Sequence, residues 1–383
     1  MKITETSLPS LTTVYRVLIL VAFLLALAKY GHANLPESKP PNAYPWAPAT
    51  TPAVASEQPQ PTDHISSPNT GQTSSADETA RASAAEPNNV AAPSPEIKYR
   101  AGEDPEFARQ NGWPVNAPRP LPGAILPYKR IVAFYGNPLC WKMGILGKSS
   151  KKNMLQKLQQ EVDHWKEADP SREIQPALHL IAVTAQPTSG KAGKYRMIMP
   201  DKIIKQVYAW AKEANAILFI DLQTGHDDIR ELLPRFEWIL KNPDVHLGID
   251  PEFNLIKTGA VPGTQIGSLD AEEVNYVTGY LRNLVQKHNL PPKVLTLHRF
   301  TRNGITNADK IVLNPEIQIV MHMDGWGNPW LKRDTYKRYI VADPVQYAGF
   351  KLFLYNDTKQ GDRLMTPEEV LRLNPKPLYI QYQ

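Results

Sequence analysis

From Arg130 to the end of the chain, short apolar runs alternate with amphipathic helical segments eight times over, and few folds accommodate that pattern. The runs are Arg130–Tyr135, Ala177–Val183, Ala216–Leu222, Val245–Ile249, Lys293–His298, Ile317–Met323, Phe350–Tyr355 and Pro377–Tyr382. Each is rich in Ile, Val, Leu, Phe or Tyr, as befits strands buried on both faces in a parallel sheet. Between them, Lys151–Ala168 places Met154, Leu155, Leu158, Val162 and Trp165 at helical spacing, and Asp201–Ala214, Asp227–Lys241 and Leu269–His288 show the same period. Two shorter helices are expected over Lys332–Val341 and Thr366–Leu373, and the crossover at Asn307–Leu313 has the weakest pattern. Eight strand–helix units in about 250 residues predict an α/β fold, a (β/α)8 TIM-type barrel over residues 130–383. An open doubly wound sheet would favour a glycine-rich turn after its first strand. The turn here, YGNPLCWKMGILG, lacks G-x-G-x-x-G, so no dinucleotide cofactor is expected.

The first third of the chain has a different character. In residues 1–33, Lys2 and Arg16 precede the apolar run Val17–Ala28, the length of a signal-peptide core and short for a membrane span. Gly31 and Ala33 offer a cleavage site, whereas Lys29 and Tyr30 favour an uncleaved anchor. Residues 34–98 are rich in Pro, Ser, Thr, Ala, Gln and Asn with few large apolar side chains, which predicts a disordered tether. Residues 99–129 gain Phe107, Trp113 and Leu121 and read as an arm packed on the domain without regular structure. The expected location is therefore outside the cytoplasm, secreted or tethered, with membrane contact only through the N-terminal segment. A net charge of +5 without a dense Lys/Arg stripe gives no nucleic-acid surface. The single Cys140 excludes an intramolecular disulfide and a cysteine-rich zinc site. A monomer is expected.

If the barrel closes, its C-terminal rim is where chemistry belongs. Tyr135 and Trp141 fall at the end of strand 1, Asp221 at strand 3, and Asp250 and Glu252 at strand 4. His298 ends strand 5, His322, Asp324 and Trp326 end strand 6, Asp357 follows strand 7, and Gln381 lies in strand 8. By the period of a strand, Asp250 and Glu252 leave the same face, two carboxyls side by side. Such crowding raises the pKa of one by repulsion and burial. Glycoside hydrolysis needs that pair: one carboxyl protonates the leaving oxygen and another supports an oxocarbenium-like transition state. Glu252 is the candidate acid, Asp250 its tuning neighbour and Asp324 the partner across the mouth. Tyr135, Trp141 and Trp326 offer flat faces for sugar rings, and Asp221, His298, His322, Asp357 and Gln381 complete the candidate substrate-binding set. Plainer roles exist for several of these. Asp221 and Asp357 also suit loop caps, His298 a satisfied core position, and Trp326 loop packing.

The motifs Asp250-x-Glu252 and Met321-x-x-Asp324-x-Trp326 resemble those of barrel glycosidases of the chitinase-like and family 25 lysozyme-like kinds. The resemblance implies a glycosidase acting on a polysaccharide, with the acid at Glu252 and assistance from Asp250 and Asp324. This sequence departs from those patterns at Gly248 and Val245, where chitinases carry further acids, and at Asn137, near the lysozyme-like strand 1 acid. Two alternatives stand beside it. One is a metal-dependent hydrolase built on Asp221, Asp250, Glu252, His298, His322 and Asp324, against which no His-x-His or His-x-x-x-His pair occurs. The other is a non-catalytic barrel that binds glycan or protein. The leading expectation uses no metal and no cofactor.

Overall fold

The structure is a computed structural model that describes residues 98–359 and 361–383. The expected targeting segment and nearly all of the expected tether lie outside the described residues. Eight parallel strands close on themselves: β1 Lys129–Gly136, β2 Glu173–Ala185, β3 Ile217–Leu222, β4 Val245–Ile249, β5 Lys293–Arg299, β6 Ile317–Met323, β7 Tyr347–Leu352 and β8 Tyr379–Tyr382. Each pairs with its neighbours in sequence, and β1 pairs with both β2 and β8, so no edge remains. This is the (β/α)8 layout expected from the alternation. Short additions decorate it. Arg196–Ile198 pairs antiparallel with the long β2, and Leu269–Asp270 pairs with Ile305–Thr306.

Of the helices, α1 is Pro105–Gln110, α2 Lys151–Ala168, α3 Asp201–Glu213, α4 Ala271–His288, α5 Pro329–Tyr336 and α6 Pro367–Val370. The apolar faces of α2, α3 and α4 are buried against the outer faces of the strands. Asp270 and Glu273 form a reciprocal capping box at the start of α4, and Thr366 and Glu369 do so at α6. Three expectations need correction. The predicted helix Asp227–Lys241 is broken into Ile229–Leu232, a 3-10 turn Leu233–Phe236 and Glu237–Leu240. Pro234 lacks the N–H that a continuous helix needs there. The helix predicted from Lys332 starts earlier, because Pro329 at the first turn behind the Asn328 cap begins a helix well, and it ends in a π-turn over Lys337–Val341. The strand predicted at Phe350–Tyr355 lies three residues earlier, at Tyr347–Leu352, and Tyr355 is exposed in the following turn.

The arm is built differently from expectation too, since Pro105–Gln110 is helical behind the Asp104 cap. It is nevertheless bound tightly. Trp113 is buried and its indole N–H donates to the Val341 carbonyl at 3.0 Å. Farther on, Leu126 is completely buried in the floor of the barrel with Ile131, Ala133, Ala177, Ile217, Phe219, Val294, Val320 and Tyr379. Gln318 Oε1 accepts from the Ile125 and Leu126 amides at 3.1 and 3.2 Å. The barrel interior is thus apolar at the N-terminal end of the strands and polar above it.

Candidate active site

The polar layer is the direct result of strand alternation. Counting by twos toward the C-terminal ends gives Tyr135 on β1, His179 on β2, Asp221 and Gln223 on and beyond β3, and Asp250 beyond β4. It continues with His298 on β5, His322 and Asp324 on and beyond β6, Lys351 on β7 and Gln381 on β8. All are buried. Glycines make room for the rings. A Cβ at Gly349 would come within 2.6 Å of His322 Nδ1, and one at Gly248 within 2.6 Å of Asp221 Oδ1.

His298 is the hub. Its Nδ1 lies 2.7 Å from Asp324 Oδ2 and 3.0 Å from Asp250 Oδ1. The Lys351 ammonium bridges both oxygens of Asp324, at 2.9 and 3.0 Å, and lies 4.2 Å from the Tyr135 ring centre. Asp250 Oδ2 accepts from the Tyr135 hydroxyl at 3.0 Å and from Gln223 Nε2 at 2.9 Å. His322 stands edge-on to His298, with ring centres 5.0 Å apart. Below them, His179 Nδ1 lies 2.5 Å from the Tyr379 hydroxyl and 3.1 Å from Gln381 Nε2.

These environments drive the carboxyls apart. Burial would raise Asp324, but the Lys351 and His298 charges and hydrogen bonds outweigh it and hold the carboxyl below its usual range. Burial pushes Asp250 up to about 6, with Asp221 adding repulsion and His298 and Lys351 opposing. Glu252 is raised well above the usual range, by burial first and then by Asp324 and Asp250. Burial alone would lower His298, yet Asp250, Asp221 and Asp324 raise it on balance, whereas burial and the His298 charge depress His179 and His322 well below normal. Burial and the nearby carboxylates also raise the Tyr135 hydroxyl well above its normal range, so it serves as a donor.

The strand ends where the sequence indicates, but the strand period expected to set Glu252 beside Asp250 does not extend that far. Strand β4 ends at Ile249, and Pro251–Phe253 is a 3-10 turn. Pro251 fixes φ and lacks the N–H to continue the ladder. Glu252 reaches the cluster from that turn. It is half-buried, and its Oε2 is buried without a hydrogen-bond partner among the described residues. Asp357 does not join the cluster. It accepts from the Gly327 and Phe353 amides, both at 2.9 Å, and pairs with Lys332 at 3.0 Å, fastening two loops. Trp141 is likewise outside it, 65% exposed on the loop after β1, and Trp326 is half-buried after β6. Asn137 is engaged with backbone, donating to the Ile181 carbonyl at 3.0 Å.

His179, Lys351 and Tyr379 belong to the cluster without having been singled out from sequence, and Gln223 joins it as a residue read from the sequence only as the end of strand 3. The signal existed for two of them. His179 and Lys351 are lone polar residues inside otherwise apolar runs, on the inward parity of their strands.

No family model matches this chain, and no curated protein matches it. Among solved structures it is similar to a mutant form of Thermotoga maritima Cel5A crystallised in complex with cellobiose substrate. The sequence identity is 11%, over 67% of this chain and 88% of that chain, with a TM-score of 0.35. The closed barrel is shown by its own strand pairings.

Proposed function

We propose that the protein is an exported glycoside hydrolase that cleaves a polysaccharide, with Glu252 as proton donor. The observation that carries this reading is the pair of opposed carboxyls at the barrel mouth. Glu252 has an unpartnered buried oxygen, and burial raises its pKa well above the usual carboxyl range. Asp324 is kept ionised by Lys351 and His298. Titratable groups driven apart in this way supply the acid and the anion that glycosidic cleavage requires. Glu252 would protonate the departing oxygen, and Asp324 would face the positive charge that develops on the sugar. Asp250, fixed by Tyr135 and Gln223, raises Glu252 and completes the negative floor.

Exposed aromatic faces support a sugar ligand. Trp141 follows β1, Trp330 follows β6 and Tyr355 follows β7, with exposures of 65, 58 and 60%. Trp330 stands on the first turn of α5 and the other two on connecting segments, all following strands of one neighbouring sector of the barrel (β6, β7, β8, β1). Aromatic rings combine apolar faces with polar edges, which suits stacking on pyranose rings.

The test is reducing-end release from a panel of α- and β-linked polysaccharides by the full chain, against Glu252→Gln. Release by the wild-type protein alone supports the reading. Glycan binding with no turnover under any condition replaces it with a non-catalytic barrel. Export is tested separately, by deleting residues 1–33, which should leave the protein inside the cell.

A further inference from the structure

The carboxyls assigned to glycoside cleavage face the mouth. Beneath them His179, Asp221 and His298 converge from three different strands, all of them completely or almost completely buried. His179 Nε2 lies 3.5 Å from Asp221 Oδ1, and His298 Nε2 lies 3.9 Å from Asp221 Oδ2. Among the described residues, neither nitrogen and neither oxygen has a hydrogen-bond partner. Four orphaned polar atoms at one buried point demand a ligand, because each carries an uncompensated desolvation penalty.

The opposite edge of each imidazole is occupied. His298 Nδ1 sits against Asp324 and Asp250. His179 Nδ1 sits against the Tyr379 hydroxyl and the Gln381 amide. A half-turn of that amide, whose Oε1 has no partner, gives Nδ1–H an oxygen acceptor and leaves Nε2 its lone pair. Imidazoles held at one nitrogen and bare at the other are what metal ligation uses. The ligating atoms all lie within 4.8 Å of one another. The 3.5 Å spacing is close to the roughly 3.3–3.4 Å edge of a tetrahedral ion with bonds of about 2.0–2.1 Å, and the 3.9 Å spacing, to the other carboxylate oxygen, is longer. Gly248 keeps the point open, since a Cβ there would collide with His179 Nε2 and Asp221 Oδ1.

We propose that His179 Nε2, Asp221 and His298 Nε2 form a buried three-ligand site for a divalent transition-metal ion, zinc being the first candidate. Two imidazoles and one carboxylate suit zinc, and also ferrous iron or manganese. Bound there, the ion would fix the His298 ring so that its Nδ1–H points at Asp250 and Asp324. The site shares His298 with the proposed glycosidase machinery, but its test reads metal binding and not turnover.

The full chain, stripped with chelator, is titrated with Zn2+ by calorimetry, and its melting temperature is followed. One ion per chain and a raised melting temperature are expected, and Co2+ in its place should show visible d–d absorption. His179→Gln and Asp221→Asn should each abolish stoichiometric binding. Asp221→Asn removes an unpartnered carboxyl, so without metal it should melt no lower than the wild type, which separates lost binding from lost folding. The Co2+ spectrum of the wild-type protein needs no variant. Absence of binding by the wild-type chain overturns the proposal, and so does binding that survives Asp221→Asn. Either result leaves the buried space to ordered water.

Discussion

Lys351 carries the electrostatics of the mouth. Its ammonium is buried, hydrogen-bonded to one oxygen of Asp324 and ion-paired with the other, and its charge opposes the rise of both Asp250 and Glu252. Replacing it by Met keeps the length and removes the charge. Asp324 then loses its largest pKa-lowering influence, so its carboxyl rises. If Asp324 must be ionised, the acid limb of the kcat/KM–pH profile moves to higher pH in Lys351→Met. A profile whose acid limb stays in place would remove Asp324 from the essential groups. The same residue shows where sequence reading stops. Lys351 stands between Phe350 and Leu352, and its inward direction follows from alternation. Its place at the rim does not, because that depends on where the strand ends. Extending β7 to Tyr355 put Asp357 at the mouth and Lys351 below it. Ending it at Leu352 exchanges them.

At the scale of elements, the strands were legible because each is a continuous apolar run, and the helices because their period is regular. Boundaries were less legible wherever a glycine or proline decides them. Gly349 sits inside β7 with no side chain to mark it as strand, and Pro251 turns Glu252 out of β4. Lys293 begins β5 and is fully buried, its ammonium donating to the Asn242 and Val245 carbonyls at 2.5 and 2.9 Å. Burial pulls its pKa down to about 7. An unfolded lysine titrates near 10.4, so between those values the unfolded chain binds more protons than the folded one. Stability therefore rises with pH from about 7 to about 10, by roughly 5 kcal/mol if the whole shift acts. Lys293→Met should flatten that rise, measured as urea midpoints across the range. An unchanged slope would show that the ammonium is better solvated than its burial implies.

For the molecule as a whole, the arm is part of the barrel. The sequence indicated that residues 99–129 pack, through Trp113 and Leu121, but gave no sign that Leu126 closes the floor. That contact joins positions 192 residues apart in the chain, Leu126 and Gln318, and no local pattern encodes it. Leu126→Ala should cost about 2–5 kcal/mol, the range for a fully buried leucine, read from denaturant unfolding. A loss below about 1 kcal/mol would mean that the arm lies on the barrel without sealing it. Carboxyls, imidazoles and a lysine gather at the other end of the same interior. Which groups would gather there was largely readable from strand-end residues, while their individual roles depend on partners from different strands. At the mouth, Glu252 is proposed to supply the proton to a leaving sugar oxygen. The most direct measurement of this role compares kcat/KM of wild type and Glu252→Gln on two glycosides, one with an alcohol leaving group and one with a highly acidic phenol. A fall of about 10²–10⁴-fold is expected on the first and a far smaller fall on the second, whose departure needs little protonation. Equal losses on both, or wild-type rates on the first, would contradict it.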